Sequence, residues 1–284
     1  MRWPSFRGAN DGLLAEAHPP PGPAARWNDL GRRALSAAVL APVALACIWY
    51  GAAPYVVLIA VAGGGLAIEW VWLCGAWPSR APGVWVPATV LLGLFVSLNW
   101  AWAGIAVLLA GFGLLWAATG RGTLGAGVLY VGLPAIALVW LRLAESGRAN
   151  VMFLVLVVWA SDIGAYAAGR LLGGPKLAPA LSPGKTWSGA VGGLIAAIVV
   201  GQLAAGLMAG AALGRAAIFG GLLGIATQAG DLLESAIKRH FGVKDSGRLI
   251  PGHGGLLDRL DGLLAAASVA ALAVLMGQGE FLWQ

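Results

Sequence analysis

Charge is scarce in this chain. Only 11% of its 284 residues are Asp, Glu, Lys or Arg, less than half of the roughly 25% usual in soluble domains. That argues against an ordinary water-soluble domain. Cysteine is nearly absent. Cys47 and Cys74 lie in or beside apolar runs and lack metal-ligand spacing, which argues against a disulfide framework and a zinc site. No Walker loop or dinucleotide fingerprint occurs. The roughly ten-residue alternating segments of a membrane barrel are missing too. The stretch 41–47, APVALAC, resembles a lipoprotein cleavage site only faintly, since the polar segment ahead of it is long and many apolar spans follow.

What the chain does contain is apolar sequence, at 59% hydrophobic residues. Runs of about 20 such residues recur, each long enough to cross a bilayer as a helix. The expected fold is an all-α integral membrane protein with about nine transmembrane helices, at 33–50, 54–73, 83–99, 101–118, 123–143, 149–169, 187–210, 214–238 and 254–276. Residues 1–30, with His18 followed by a proline-rich run, form a disordered cytoplasmic tail in this reading. Residues 31–148 make a set of N-terminal membrane helices. Residues 149–284 make the catalytic helices and their cytoplasmic loops.

The basic residues orient these spans. With the N-terminus in the cytoplasm, fifteen Lys and Arg residues fall inside and three, Arg142, Arg148 and Arg215, fall outside. That bias favours N-in, C-out and an odd number of spans; the expected location is a cell inner (plasma) membrane, with a multi-pass chain. The bias also explains the net charge of +6 through loops facing the cytoplasm and an anionic leaflet, with no nucleic acid as partner. The glycines, 44 in number, include Gly192-Gly193 and Gly220-Gly221 on small-residue faces suited to close helix packing.

Acids inside membrane spans are costly and tend to serve function. Under this orientation Glu69, Asp162, Asp231, Glu234, Asp258 and Asp261 all fall in the cytoplasmic half. A polar cavity open to the cytoplasm and walled by the sixth, eighth and ninth spans would house them. Asp258 and Asp261 share one helix face, as do Asp231, Glu234, Ser235 and Lys238. Carboxylates from two facing helices make a hard-oxygen site suited to Mg²⁺, which takes one or two protein carboxylates and fills its shell with water and phosphate. The alternative is simple pairing of these acids with Arg239, Arg248 and Arg259. For Asp231 and Asp258 together the metal is favoured.

The densest polar window is 235–261, SAIKRHFGVKDSGRLIPGHGGLLDRLD. Its glycines precede a helix start, where backbone can approach phosphate closely, and Lys238, Arg239, Lys244 and Arg248 can neutralise a polyphosphate. A basic loop can equally serve orientation and anionic lipid. A second polar island, 159–189, ends in Ser182-Pro183-Gly184-Lys185-Thr186. There Thr186 or Ser188 suits helix capping, and Lys185 shares the mouth of the cavity.

These residues resemble phosphatidate cytidylyltransferases, the CDP-diacylglycerol synthases. The resemblance rests on Ser235-x-Ile237-Lys238-Arg239, Lys244-Asp245-x-Gly247, Pro251-x-His253-Gly254-Gly255 and Asp258-Arg259-Leu260-Asp261. Upstream, Gly230 to Ser235, Ser161-Asp162 with Tyr166 and Gly169-Arg170, and Ser182-Pro183-x-Lys185-Thr186 also match. It covers about residues 159–276, while the first five spans match only in general character. Ser188 departs from the acidic or amide residue found in many members.

The resemblance implies a polytopic, often homodimeric enzyme. It would transfer the cytidylyl group of CTP to phosphatidic acid, giving CDP-diacylglycerol and pyrophosphate in phospholipid biosynthesis. It further implies Mg²⁺ with K⁺ at a metal centre on Asp231 and Asp258. The catalytic set expected is Asp231, Asp258, Asp261, Lys238 and Arg239. The substrate-binding set is Asp162, Ser182, Lys185, Thr186, Ser235, Lys244, Asp245, Arg248, His253, Gly254, Gly255 and Arg259. Three other classes compete. A cation-coupled transporter predicts acids spread through the membrane depth and an inverted repeat. A CDP-alcohol phosphotransferase shares Asp258-x-x-Asp261-Gly262 but needs further charged residues downstream, and residues 263–279 carry none. A non-catalytic lipid-binding scaffold leaves the acids unexplained.

Overall fold

In a computed structural model, the chain is described over residues 38–208, 212–247, 249 and 254–276. The expected tail, 1–30, lies outside the described residues, as do Arg248 and His253. With no water in a bilayer core, backbone groups must bond within their own segment, and the apolar runs accordingly form helices. Among the described residues these are α1 (Ala38–Tyr50), α2 (Ala52–Leu73), α3 (Trp85–Ser97), α4 (Ala101–Thr119), α5 (Gly122–Leu143), α6 (Gly147–Leu172), α7 (Trp187–Met208), α8 (Leu213–His240) and α9 (Leu257–Met276).

Seven of these helices are long and apolar enough to cross a membrane. The described part of α1, and α3, are shorter. The α3 difference has a local cause. Pro82 and Gly83 hold the chain in turns ahead of Trp85, and a turn at Leu98–Asn99 closes the helix early. The chain is thus an all-α membrane protein with one small exception. The connection after α6, expected as a plain loop, contains an antiparallel hairpin of β1 (Lys176–Ala178) and β2 (Ser182–Thr186). Lys176 pairs with Thr186 and Ala178 with Ser182.

The helices pack as two groups. In the first, α2, α3, α4 and α5 pack on one another, with α5 the most buried of the spanning helices. Polar ties fix α2 to α5 and its approach. The Tyr55 hydroxyl donates to the Leu138 carbonyl at 3.1 Å, and the Trp70 indole donates to the Thr123 carbonyl at 3.0 Å. Arg142 Nε donates to the Ile48 carbonyl at 2.9 Å and so covers the end of α1. Cys74, just beyond α2, is buried, and burial pushes its thiol up to about 12 despite the nearby Arg121 charge. In the second group, α6, α7, α8 and α9 pack in sequence, and α5 meets α9 to join the two.

Small residues set the spacing within the second group, as the glycine pattern led one to expect. A Cβ on Gly220 would lie 2.7 Å from the Ala197 carbonyl oxygen, so α7 and α8 touch backbone to backbone. The α8–α9 seam is equally tight. A Cβ on Gly230 would lie 2.7 Å from the Asp261 carbonyl oxygen, and one on Gly262 would lie 2.7 Å from Thr227 Cγ2. Gly230 precedes Asp231, and Gly262 follows Asp261, so the closest approach of the two helices coincides with their acids. Gly262→Val should therefore push α8 from α9 and cost about 1–3 kcal/mol, the usual penalty of overpacking. Reversible unfolding in mixed detergent micelles measures that loss.

Candidate active site

The polar groups gather where the hairpin, α8 and the start of α9 meet. On α8, Asp231, Glu234 and Lys238 follow the helical repeat along one face. Lys238 Nζ lies 2.6 Å from Glu234 Oε2, one turn back, and 2.5 Å from Asp258 Oδ1 in the first turn of α9. Both carboxylates are largely buried, at 4% and 13% side-chain exposure. One ammonium therefore compensates two desolvated acids from two helices. Glu234 depends on it, because neither of its carboxylate oxygens has a well-formed hydrogen bond.

Asp258 is held from several directions. Its Oδ2 accepts from the Ser246 amide at 3.0 Å, the Ser246 hydroxyl at 3.0 Å and the Gly255 amide at 3.2 Å. Gly255 must be glycine for this geometry, since a Cβ there would lie 2.8 Å from Asp258 Oδ2. A carboxylate near a helix N-terminus also gains from the aligned peptide dipoles.

The hairpin supplies the second cation. Lys185, on β2, places Nζ 2.6 Å from Asp231 Oδ2. This pair is the more open of the two, with Asp231 at 39% side-chain exposure. Asp162 on α6 and Asp261 on α9 are close enough to Asp231 for their charges to interact. Asp261 Oδ1 also accepts from the Gly262 amide at 2.8 Å. Thr186 caps α7. Its Oγ1 accepts from the Gly189 amide at 3.1 Å and lies 3.0 Å from Ser188 Oγ. The Ser188 hydroxyl also contacts the Gly173 carbonyl.

The expected residues thus fall into three groups. Asp162, Lys185, Asp231, Lys238, Asp258 and Asp261 come together, with Gly255 against them. Ser182 and Thr186 lie on the hairpin strand that carries Lys185, and buried Ser235 lies one residue past Glu234. Lys244, Asp245 and Arg259 are exposed on the loop and first turn around the site. Arg239 is also exposed, and it donates to the Val243 carbonyl at 2.8 Å, folding the chain over the end of α8. Among the described ion pairs, Lys185 pairs Asp231, and Lys238 pairs Glu234 and Asp258.

Three further residues belong to the site. Glu234 and Glu69 carried a signal, being acids in apolar spans. Glu69, fully buried on α2, accepts from the Leu256 and Leu257 amides at 2.8 Å each. Tyr130 on α5 stacks near Trp70, with ring centroids 4.9 Å apart, and feels the charges of Glu234, Asp261 and Asp231. Nothing in the local sequence around Tyr130 distinguishes it from a core aromatic.

The donor chemistry fits a hard divalent cation. Every acidic group is a carboxylate, and ammonium nitrogens already sit against Asp231 and Asp258. Among the described residues no three acids, histidines or cysteines converge into a full ligand cage.

The bridge makes a stability prediction. Lys238→Met strands Glu234 and Asp258 as buried, uncompensated acids and should destabilise the fold by about 3–5 kcal/mol. Adding Glu234→Gln should restore part of that loss in the same detergent unfolding measurement.

The profile of the Cytidylyltransferase family matches residues 31–276. The phosphatidate cytidylyltransferase of Brucella suis is 42% identical over 255 residues, covering 86% of this chain and 93% of the relative. That of Mycobacterium bovis is 45% identical over 131 residues, 46% of this chain and 42% of the relative. That of Staphylococcus saprophyticus is 46% identical over 138 residues, 48% of this chain and 52% of the relative. With a profile match over residues 31–276 and a 42% identical relative aligned over 86% of this chain, the chain belongs to the cytidylyltransferase family.

Proposed function

We propose that this protein is a nucleotidyltransferase that moves the cytidylyl group of CTP onto phosphatidic acid, releasing pyrophosphate and forming CDP-diacylglycerol. The observation that carries this reading is the presence of two lysine–carboxylate pairs, Lys185–Asp231 and Lys238–Asp258, whose acids lie on α8 and in the first turn of α9 in a bundle of apolar helices. Paired cations and carboxylates at that place suit phosphate groups of a nucleotide and a lipid headgroup together. A transporter is disfavoured because the sequence shows no inverted repeat.

In the proposed reaction a phosphate oxygen of phosphatidate forms a bond to the α-phosphorus of CTP, and the bond to the β-phosphate oxygen breaks. The lipid phosphate is already anionic at neutral pH, so no strong general base is needed. Catalysis then depends on positioning and on neutralising charge. Asp231 and Asp258 would hold Mg²⁺, with K⁺ as the second ion that the family resemblance implies; the divalent ion supplies charge neutralisation at phosphate oxygens. Lys185, whose pair with Asp231 is the more open, turns its ammonium toward substrate phosphate oxygens, while Lys238 keeps the carboxylates of Glu234 and Asp258 in place and adds positive charge beside them. Asp261 orients the groups around Asp231. Arg239, Lys244, Arg248 and Arg259 supply further positive charge around the phosphates, and Ser182, Thr186, Ser235, Asp245, His253 and Gly254 complete the substrate walls.

In this proposal the chain crosses the inner membrane nine times with its N-terminus in the cytoplasm, forms a homodimer, and opens a polar cavity between α6, α8 and α9 to the cytoplasm. The loops at Arg121, at 173–186 and at 241–256 would share that side.

Purified protein in detergent should transfer label from CTP to phosphatidate and release pyrophosphate. Asp231→Ala and Asp258→Ala should each lower turnover by roughly 10²-fold or more while the protein still inserts. Retained activity in either variant sinks the metal assignment. Single cysteines at positions 121 and 244 should be labelled only from the cytoplasmic side in inside-out against right-side-out vesicles. One at position 145 should show the reverse pattern.

A further inference from the structure

Glu69 is the one acid of α2, and it lies far in sequence from the polar window. It is fully buried, yet no cation is its partner among the hydrogen bonds and ion pairs described. Its carboxylate accepts instead from neutral donors: the Leu256 amide on Oε1, and the Leu257 amide and the Ser246 hydroxyl on Oε2, at 2.8, 2.8 and 3.3 Å. Leu257 is the first residue of α9, where amides lack intrahelical partners and the helix dipole favours negative charge. Glu69 therefore holds both edges of the connection into α9, at Ser246 and at Leu256. Gly247 packs so closely that a Cβ on it would lie 2.8 Å from Glu69 Oε1.

Those same two edges hold Asp258. Ser246 gives Asp258 Oδ2 its amide and its hydroxyl, and Gly255, adjacent to Leu256, gives its amide. The Ser246 hydroxyl has one hydrogen and two carboxylates in reach, Asp258 at 3.0 Å and Glu69 at 3.3 Å. We infer that Glu69 is a positioning residue: from the N-terminal helices it fixes Ser246 and the first turn of α9 and thereby aims the Asp258 carboxylate. The first helical group is then a working part of the site rather than a membrane anchor. This inference rests on the proposed function for its kinetic consequence, and its structural half stands without it.

The test uses the full-length protein in detergent with Glu69→Gln, Glu69→Asp and Ser246→Ala. Glu69→Gln keeps the size of the side chain but turns one acceptor into a donor facing an amide. It should raise hydrogen exchange in peptides covering 244–247 and 254–258 while α5 and α7 exchange as in the parent. Turnover should fall roughly 10- to 100-fold, the usual cost of losing an orienting partner, with KM for CTP and for phosphatidate little changed. Glu69→Asp, with the charge kept, should recover part of the turnover. Ser246→Ala should cost less in the Glu69→Gln background than alone. Unchanged turnover in Glu69→Gln overturns the inference, and so does an exchange increase spread evenly over all helices. If the parent protein itself transfers no cytidylyl group, the proposed function fails, and the exchange pattern alone decides the role of Glu69.

Discussion

The ammonium of Lys238 lies between Glu234 and Asp258, within 2.6 Å of each, and the rest of the site is arranged around that contact. Two acids and one base, desolvated together, are stable only as a set, because each remaining charge would be stranded by loss of its partner. The contact also joins helices: Lys238 and Glu234 are on α8, and Asp258 is on α9. Charge compensation thus sets the relative position of the two helices at their polar ends, as the glycine contacts do further along.

Around this tie the protein separates tasks by exposure. The Lys238 bridge is nearly dry, whereas the Lys185–Asp231 pair is half open. An open pair is weak and exchanges easily with solvent or phosphate. A buried one keeps its geometry. An enzyme that must admit two polyanions and keep its carboxylates oriented needs both kinds. The hairpin fits that division, since Lys185 rides on a short two-stranded element between α6 and α7 rather than on a helix.

The helix set was largely legible in the apolar runs, since a bilayer leaves the backbone few alternatives. Boundaries held to within a few residues where glycine or polar residues close the runs. Turns on both sides shorten the 83–99 run by two residues at each end, to Trp85–Ser97, and the start of α9 at Leu257 falls three residues after 254. The hairpin was not legible, because β1 and β2 have no apolar alternation and are stabilised by pairing with each other. Among site residues, Asp231, Asp258, Asp261 and Lys238 stood out as charges in apolar surroundings. Thr186 stood out as a cap, and its hydroxyl does cap α7.

By itself the sequence determined that this chain is helical and membrane-embedded, properties that follow from composition and local spacing, which the bilayer and the helical repeat act on directly. The family was legible separately, in the motifs between Ser161 and Asp261. Only the tertiary structure decided the partners. Lys185 with Asp231, Lys238 with Asp258 and Glu69 with the start of α9 are separated by up to 188 positions in the chain. A carboxylate in a membrane span needs some compensating group, and local sequence cannot say whether that group is an arginine nearby, a lysine across a helix seam or two backbone amides from the far end of the molecule.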